Sequence, residues 1–452
     1  VVDLPGVATD SIDIDVDTVA VGSSNDYHSG LTYPGSAYVF TRSGGTWSEQ
    51  QKLVASDASS GDRLGSKVVV FGDTVVAGSL SLVSGDVSAG AAYVFERSGS
   101  SWSETQKIEN PDQEAYEYFG VGVSNWNTDL LIGAHRDNNS TGDDAGAAYF
   151  HFLELGSFVL EQKVTGADSI YNDRFGKSVA IDGDTAIVGA PWDDHTGCSN
   201  AGSATVFTRV GDVWSVQQKL LRLNPSNFQY AGESVAVDGD TAVVGTFEDH
   251  AGFVAAGAVL VYRRIGASWA FNQKLNAPSP GAFAYFGSAV ALSGGTLAVG
   301  AYAGEPSQTG AVHVFTDTGS SFVHDASLVA SDATMHDNLG FSVALSGDTL
   351  IAGAPAVDYG GFLNPGAAYV FTRSGGVWSE QQKLIDTSPT DLGNFGYSVD
   401  VDGDTVVVGA FWDDHSGLYN PGSAYLFRRS AGTWSLSQEF QSSAPATSTW
   451  FG

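Results

Sequence analysis

Phe175 to Leu220 reads FGKSVAIDGDTAIVGAPWDDHTGCSNAGSATVFTRVGDVWSVQQKL, and this stretch decides the fold because it recurs along the whole chain. Its Phe-Gly glycine returns as Gly65, Gly120, Gly176, Gly232, Gly287, Gly340, Gly396 and Gly452, at spacings of 53 to 56 residues. The glycine that closes its second apolar run returns as Gly22, Gly78, Gly133, Gly189, Gly245, Gly300, Gly353 and Gly409. An aromatic anchor returns as Trp47, Trp102, Phe158, Trp214, Trp269, Phe322, Trp378 and Trp434. Three independent anchors, each present eight times in 452 residues, define one repeated unit. A fixed period of this length marks a repeat architecture.

Within the unit, apolar residues alternate with period two, which predicts strands over 178–182, 185–190, 202–209 and 213–220. Asp182-Gly183-Asp184, Asp238-Gly239-Asp240 and Asp402-Gly403-Asp404 read as hairpin turns, in which Gly accepts positive φ and Asp is expected to bond its local backbone. A second tight hairpin precedes the aromatic anchor, as in Arg42-Ser43-Gly44-Gly45-Thr46-Trp47. No stretch has the period of an amphipathic helix, so the chain is all-β. Repeated four-strand units predict a β-propeller of eight four-stranded antiparallel blades, with a seven-bladed ring or a solenoid as the alternatives. The fourth strand ends in Gln-Gln-Lys-Leu, as at 217–220, and its polar residues place it at the exposed outer edge, where they block edge-to-edge pairing.

One propeller domain is therefore expected over 1–452, with repeats at approximately 9–64, 65–119, 120–175, 176–231, 232–286, 287–339, 340–395 and 396–452. The first repeat lacks the Phe-Gly anchor and has Ala8-Thr9 instead, and the chain ends in period on Trp450-Phe451-Gly452. Phe451-Gly452 is expected to fill the vacant slot of the first blade and staple the ring. The alternative is that a further segment begins there.

Composition narrows the function. A net charge of -31, from 51 Asp+Glu against 20 Lys+Arg, repels nucleic acid and anionic membranes. No apolar run is long enough to insert in a membrane. The start at Val1 reads as a mature or excised form that has lost any targeting segment. Cys198 stands alone, so no internal disulfide forms, and no catalytic signature surrounds it.

In a four-strand meander the 1–2 and 3–4 turns share one face and the long, variable 2–3 and 4–1 loops share the other. Binding residues concentrate on variable loops held by a rigid scaffold. The 2–3 loops repeat an acidic signature: Trp192-Asp193-Asp194-His195, Phe247-Glu248-Asp249-His250 and Trp412-Asp413-Asp414-His415. Carboxylates and imidazole in that pattern can hold a metal, with calcium as the candidate ion and Asp193, Asp194, Asp413 and Asp414 as candidate ligands. The same residues serve equally as turn caps and packing groups, and repetition across blades suits that structural role. The 4–1 loops carry Tyr118, Tyr171, Tyr230 and Tyr285, which can stack on sugars, contact a protein or cover the blade junctions. Asn138 and Asn139 begin two overlapping N-x-Ser/Thr glycosylation sequons.

Phe175-Gly176, Val188-Gly189-Ala190-Pro191 and Gly353-Ala354-Pro355 resemble FG-GAP repeats, the blades of the integrin α-subunit propeller. The pattern SVAIDGDT…VVGA…GSAYVFTRSGGTWSEQQKL is similar to the FG-GAP repeats of bacterial and marine extracellular proteins. The resemblance covers essentially the whole chain. It implies an extracellular propeller used in adhesion or protein recognition, with binding on the long-loop face. Integrin blades carry calcium in a longer loop between strands one and two; here that loop is shortened to Asp-Gly-Asp, with too few oxygens for a full cage. Integrin propellers have seven blades, against eight repeats here.

Three functions follow. The first is a non-enzymatic extracellular binding or adhesion scaffold that takes a protein or glycan on its long-loop face. The second is a self-associating subunit of a filament or surface layer. The third is a glycan-active enzyme with carboxylates at the ring centre. The scaffold reading is preferred because no nucleophile elbow, phosphate loop, metalloprotease or Cys-x-x-Cys motif is present.

Overall fold

The computed structural model describes residues 12–80, 89–112, 117–139, 142–250, 252–304, 308–443 and 447–452. Thirty-two strands form eight four-stranded antiparallel sheets, each an uncrossed meander. The blades span 12–53, 64–109, 119–164, 179–220, 235–275, 290–328, 343–384 and 399–440. In the fourth blade the strands are Val179–Asp182, Thr185–Ala190, Ser203–Val210 and Val213–Leu220, within a residue of the sequence expectation. First strands of neighbouring blades pack together all round, and that of blade 8 packs on that of blade 1, which closes the ring. The molecule is an eight-bladed β-propeller with first strands inside and fourth strands outside. No helix among the described residues is long and apolar enough to cross a membrane.

Second and third strands are buried on both faces, because each sheet is covered by a neighbour on either side. The cores accordingly lie between blades. One unites Leu131, Phe150 and Phe175 with Val188, Phe207 and Trp214, and Phe150 stacks on Trp214 at 4.1 Å.

The three repeated anchors are the points where blades meet. Gly176 donates its N–H to the carbonyl of Gly189 at 3.0 Å and holds φ at +92°, a conformation that glycine adopts without steric cost. A Cβ on Gly189 would overlap the carbonyl of Gly232, the anchor glycine of the next blade. The ring closes by the same chemistry. Gly452 donates to Gly22 at 3.1 Å, Gly409 abuts Gly452, and Phe451 bridges to Ser23. Phe451 is fully buried and packs edge-on against Tyr38 at 5.0 Å. Phe451-Gly452 thus occupies the anchor position of the first blade. Ala8-Thr9 lies outside the described residues.

The Gln-Gln pair differs from expectation. Every blade has a β-bulge between strands three and four, as at Val206/Phe207. A bulge breaks the strict alternation of side chains, so two consecutive residues can serve the same neighbour. Gln218 uses both ends of its amide as a peptide would: Nε2 donates to the Trp269 carbonyl at 2.5 Å, and Oε1 accepts the Trp269 N–H at 2.8 Å. Gln217 takes the indole N–H of Trp269 at 2.6 Å. The same clasp joins Gln51 to Trp102, Gln106 to Phe158, Gln273 to Phe322 and Gln382 to Trp434. Gln162 also accepts the Trp214 N–H, at 3.0 Å. These glutamines link blade to blade rather than merely decorating an edge. The turn aspartates correct the reading in the same direction. Asp182 accepts the N–H of Gly239 in the next blade at 2.6 Å, while Asp184 pairs with Arg209 of its own third strand at 2.9 Å.

Candidate functional site

The long-loop face is built from two repeated positions. The second residue before each anchor glycine sits at positive φ in all eight copies: Arg63, Tyr118, Arg174, Tyr230, Tyr285, Asn338, Asn394 and Trp450. The second residue after the strand-ending glycine opens each 2–3 loop, as Phe247, Tyr302 and Phe411 do. Both positions lie at the ends of the inner strands, so side chains from adjacent blades meet there.

The rings form a continuous arc from blade 4 to blade 8. Trp192 approaches Tyr230 at 6.3 Å, Tyr230 stacks on Phe247 at 5.7 Å, and Phe247 lies 6.1 Å from Tyr285. Tyr285 stacks on Tyr302 at 5.1 Å, Tyr302 meets Phe341 at 5.8 Å, and Phe341 meets Tyr397 at 5.0 Å. Tyr397 reaches Phe411 at 4.1 Å, and Phe411 touches Trp412 and Trp450 at 4.8 and 6.3 Å. Every member is half-buried. Burial raises the hydroxyl pKa values of Tyr230, Tyr285 and Tyr302, so these phenols stay neutral. At one end of the arc the Arg174 guanidinium lies 3.3 Å from the Trp192 ring centre. Beyond it, Arg136 covers Tyr118 at 4.8 Å, and Tyr118 stacks on buried His135 at 5.4 Å.

Of the residues singled out by sequence, Trp192, Tyr230, Tyr285 and Trp412 belong to the arc, and Tyr118 lies in the cationic stretch beside it. Tyr171 stands apart, 70% exposed. Phe247, Tyr302, Phe341, Tyr397, Phe411 and Trp450 were missed. Their signal was a fixed offset from the two glycine anchors.

The acidic loops play separate structural roles. Asp193 is buried and meets the ammonium of Lys219 at 2.8 Å; that Lys comes from Gln-Gln-Lys on the same blade. Asp249 likewise meets Lys274 at 2.8 Å and also Arg222, and Asp26 meets Lys52. In blade 8 Glu439 replaces the Lys. There Asp413 takes hydroxyl protons from Ser423, Thr390 and Tyr425 at 2.7, 2.9 and 3.1 Å, and burial raises its pKa. In blade 7 Val357 fills the Asp position, and Lys383 turns to Asp332 at 2.6 Å.

Asp194 and Asp414 accept the N–H of Asn200 and Asn420, each at 2.6 Å, and hold the loop in shape. His195 and His415 bond the carbonyls of Gly202 and Gly422 through Nε2 at 2.9 and 3.0 Å. His250 departs from this: its Nδ1 meets the Glu248 carbonyl at 2.9 Å, and burial raises the Glu248 carboxyl pKa. Asn138 and Asn139 take over the Asp194 and His195 roles, bonding the Asp144 N–H at 2.9 Å and the Gly146 carbonyl at 3.3 Å. The sequon residues Ser140 and Thr141 lie outside the described residues. Among the described residues, no three His, Cys, Asp or Glu side chains converge on a point that could hold a metal ion.

The family model described as FG-GAP repeat matches residues 47–95, 102–151, 158–207, 214–262, 269–315, 322–371 and 378–427. The chain belongs to the FG-GAP repeat family. Each matched FG-GAP unit starts at an aromatic anchor on a fourth strand and ends in the third strand of the next blade, so the sequence unit straddles a blade junction. No curated protein matches the chain. The FG-GAP family is typically non-catalytic, which agrees with a face built of packed rings and internally bonded carboxylates.

Proposed function

We propose that this FG-GAP propeller is a non-enzymatic binding scaffold, secreted or held at a cell surface, whose long-loop face contacts a protein or glycan. The observation that carries the reading is the arc of half-buried rings from Trp192 to Trp450. Rings held edge to edge on a rigid frame offer a large contact area at little conformational-entropy cost. Further exposed apolar side chains lie on the long loops, with Phe228, Phe253, Phe283, Leu363 and Tyr419 between 50% and 72% exposed, and Phe228 and Phe283 lie 6.5 and 6.4 Å from Tyr230 and Tyr285 of the arc. An apolar surface of that breadth suits a macromolecular partner. The family supports an extracellular setting, since FG-GAP repeat proteins are usually extracellular or surface-exposed. The net charge of -31 disfavours nucleic acid as the partner.

The test is a binding screen of the intact protein against glycan and secreted-protein arrays, repeated with Trp192→Ala and Tyr230→Ala. Both variants are expected to lose the hits of the wild type, while Leu155→Ser on the opposite face keeps them. Hits that survive both arc substitutions and fail with Leu155→Ser would overturn the assignment.

Self-association is a second reading, favoured by one observation. On the plain face, the third-to-fourth-strand hairpins of blades 3, 4 and 5 present Leu155, Val210 and Ile265 at 102%, 79% and 70% exposure. Leu155 does so at a φ of 51°, where its counterparts in other blades are mostly Gly. Sedimentation velocity across a salt series tests this reading: growth of oligomers with salt that Leu155→Ser abolishes supports it, and a monomer throughout removes it.

A further inference from the structure

One rung between the third and fourth strands is a cation position in most blades. The fourth strand supplies Lys52, Lys107, Lys163, Lys219, Lys274 and Lys383 there. The opposite residue is often Tyr, and the Lys163 ammonium lies 5.4 Å from the centre of the Tyr149 ring. A carboxylate completes the set, as Asp137 does for Lys163 and Asp193 for Lys219, both at 2.8 Å. Blade 6 breaks the pattern. Its rung pairs His313 with Ser327, and Gly304 stands at the Asp193 position.

A third residue joins this rung. The β-bulge between Val314 and Phe315 leaves Asp325 outside the ladder, which turns His324 to the same side as Ser327. His313 Nδ1 lies 2.9 Å from the Ser327 Oγ, and His324 Nε2 lies 3.0 Å from the same oxygen. The two rings stand 6.1 Å apart, inclined at 52°. Phe286 backs His313 and Phe315 backs His324, each at 5.5 Å. His313 is buried, while His324 and Ser327 open to solvent. One hydroxyl has one proton to give, so it donates to only one of the two imidazoles. Two ring nitrogens from different strands therefore converge on one point, with an apolar wall behind and water in front.

We propose that His313 and His324 form an exchangeable site for a divalent transition-metal ion of the copper, nickel and zinc class, with Ser327 and water filling the other positions. The ion takes the place that the lysine ammonium holds in six other blades. Imidazole suits these metals, whereas calcium and magnesium require oxygen ligands that blade 6 does not gather here. Burial pulls the His313 pKa down to about 4, so this ligand is already neutral and has no proton to shed. The net charge of -31 raises the concentration of cations at the surface. The rung is bonded through Ser327 with or without an ion, so the fold does not depend on the metal.

Titration of the chelator-treated full chain with Cu2+, followed by electron paramagnetic resonance, tests the site. The first equivalent is expected to show coupling to two imidazole nitrogens and to stay bound in excess Ca2+ or Mg2+. His324→Ala changes an exposed side chain, and His313→Tyr installs the residue that five other blades carry. Each is expected to lose one nitrogen coupling and to weaken the first equivalent by more than about tenfold, the scale on which even the partners of metal ligands act. Because His324 is exposed, His324→Ala decides the matter whether or not the variant at buried His313 folds. First-equivalent binding unchanged in His324→Ala or in folded His313→Tyr, a first equivalent without two-nitrogen coupling, or its displacement by Ca2+ would overturn the proposal.

Discussion

Replacing Gln382 by Ala tests the idea that blades are clasped by side-chain amides. Gln382 donates to the Trp434 carbonyl at 2.7 Å and accepts the Trp434 N–H at 2.8 Å. Trp434 is 2% exposed, so its peptide gains little compensation from water when the amide is removed. Two net hydrogen bonds at about 1 kcal/mol each, plus part of the desolvation penalty of the orphaned peptide, give a cost of about 2–3 kcal/mol. Gln438 is the matched control, because it has the same place in its strand and its amide donates to the carbonyl of its neighbour, with no bond to the next blade among the described residues. Gln438→Ala is expected to cost less than about 0.5 kcal/mol. The reverse change is also available: Ala326 stands at the clasp position of blade 6, so its side chain has no amide to offer the Trp378 peptide of the next blade. Ala326→Gln is expected to gain about 1 kcal/mol. Guanidinium unfolding followed by tryptophan fluorescence reads all three. Equal costs at Gln382 and Gln438, or a loss of stability in Ala326→Gln, would refute the clasp.

Three further outcomes follow from the same geometry. Lys219→Met strands the buried Asp193 carboxylate and is expected to cost about 3–5 kcal/mol, with partial recovery in the double variant with Asp193→Asn, both read by chemical unfolding. Burial first, with Asp193 adding to it, raises the Asp173 pKa to about 7 despite the N–H of Ile170 and the charge of Lys219, so native Asp173 keeps its proton longer than the unfolded chain does. Its contribution to stability is lost as pH rises from the ordinary carboxylate value to about 7; Asp173→Asn is expected to raise the melting temperature at pH 8 and leave it unchanged at pH 4, and equal shifts at both would contradict this. Because Asp193, Asp194, Asp413 and Asp414 are bonded within the protein, a chelator is expected to leave the melting temperature unchanged, and a fall of several degrees would reveal a structural cation.

Much of the architecture was legible because the signal repeats. Two glycines and an aromatic, each recurring at the blade period, located the points of closest approach between blades before any contact was known. The terminal Phe451-Gly452 could be assigned to blade 1 because its place in the period was the one missing at the start of the chain. The clasps were not legible, since a Gln-Gln pair on a strand reads as a solvated edge unless the bulge beside it is known. The bulge sets both amides toward an aromatic some 50 residues further on, and no local pattern announces it. The acidic loops admit two readings in sequence for a related reason. Trp-Asp-Asp-His resembles a ligand cluster when read consecutively, yet Asp193 turns inward to Lys219 while Asp194 and His195 bond the loop backbone. The arc is half visible in sequence: Tyr230 and Tyr285 stand out as aromatics in loops, while Phe341 and Tyr397 follow an anchor glycine directly and read as part of the inner strand.

The central claim is a closed ring whose first blade borrows its Phe-Gly from the end of the chain. Phe451→Ala probes it most directly, by hydrogen exchange over residues 12–23. Phe451 is fully buried between the first and last blades, so its truncation is expected to cost about 3–5 kcal/mol. Protection is expected to be lost first in residues 12–23 and 399–440, while residues 179–220 keep theirs. Unchanged exchange in residues 12–23 would show that Phe451 does not close the ring.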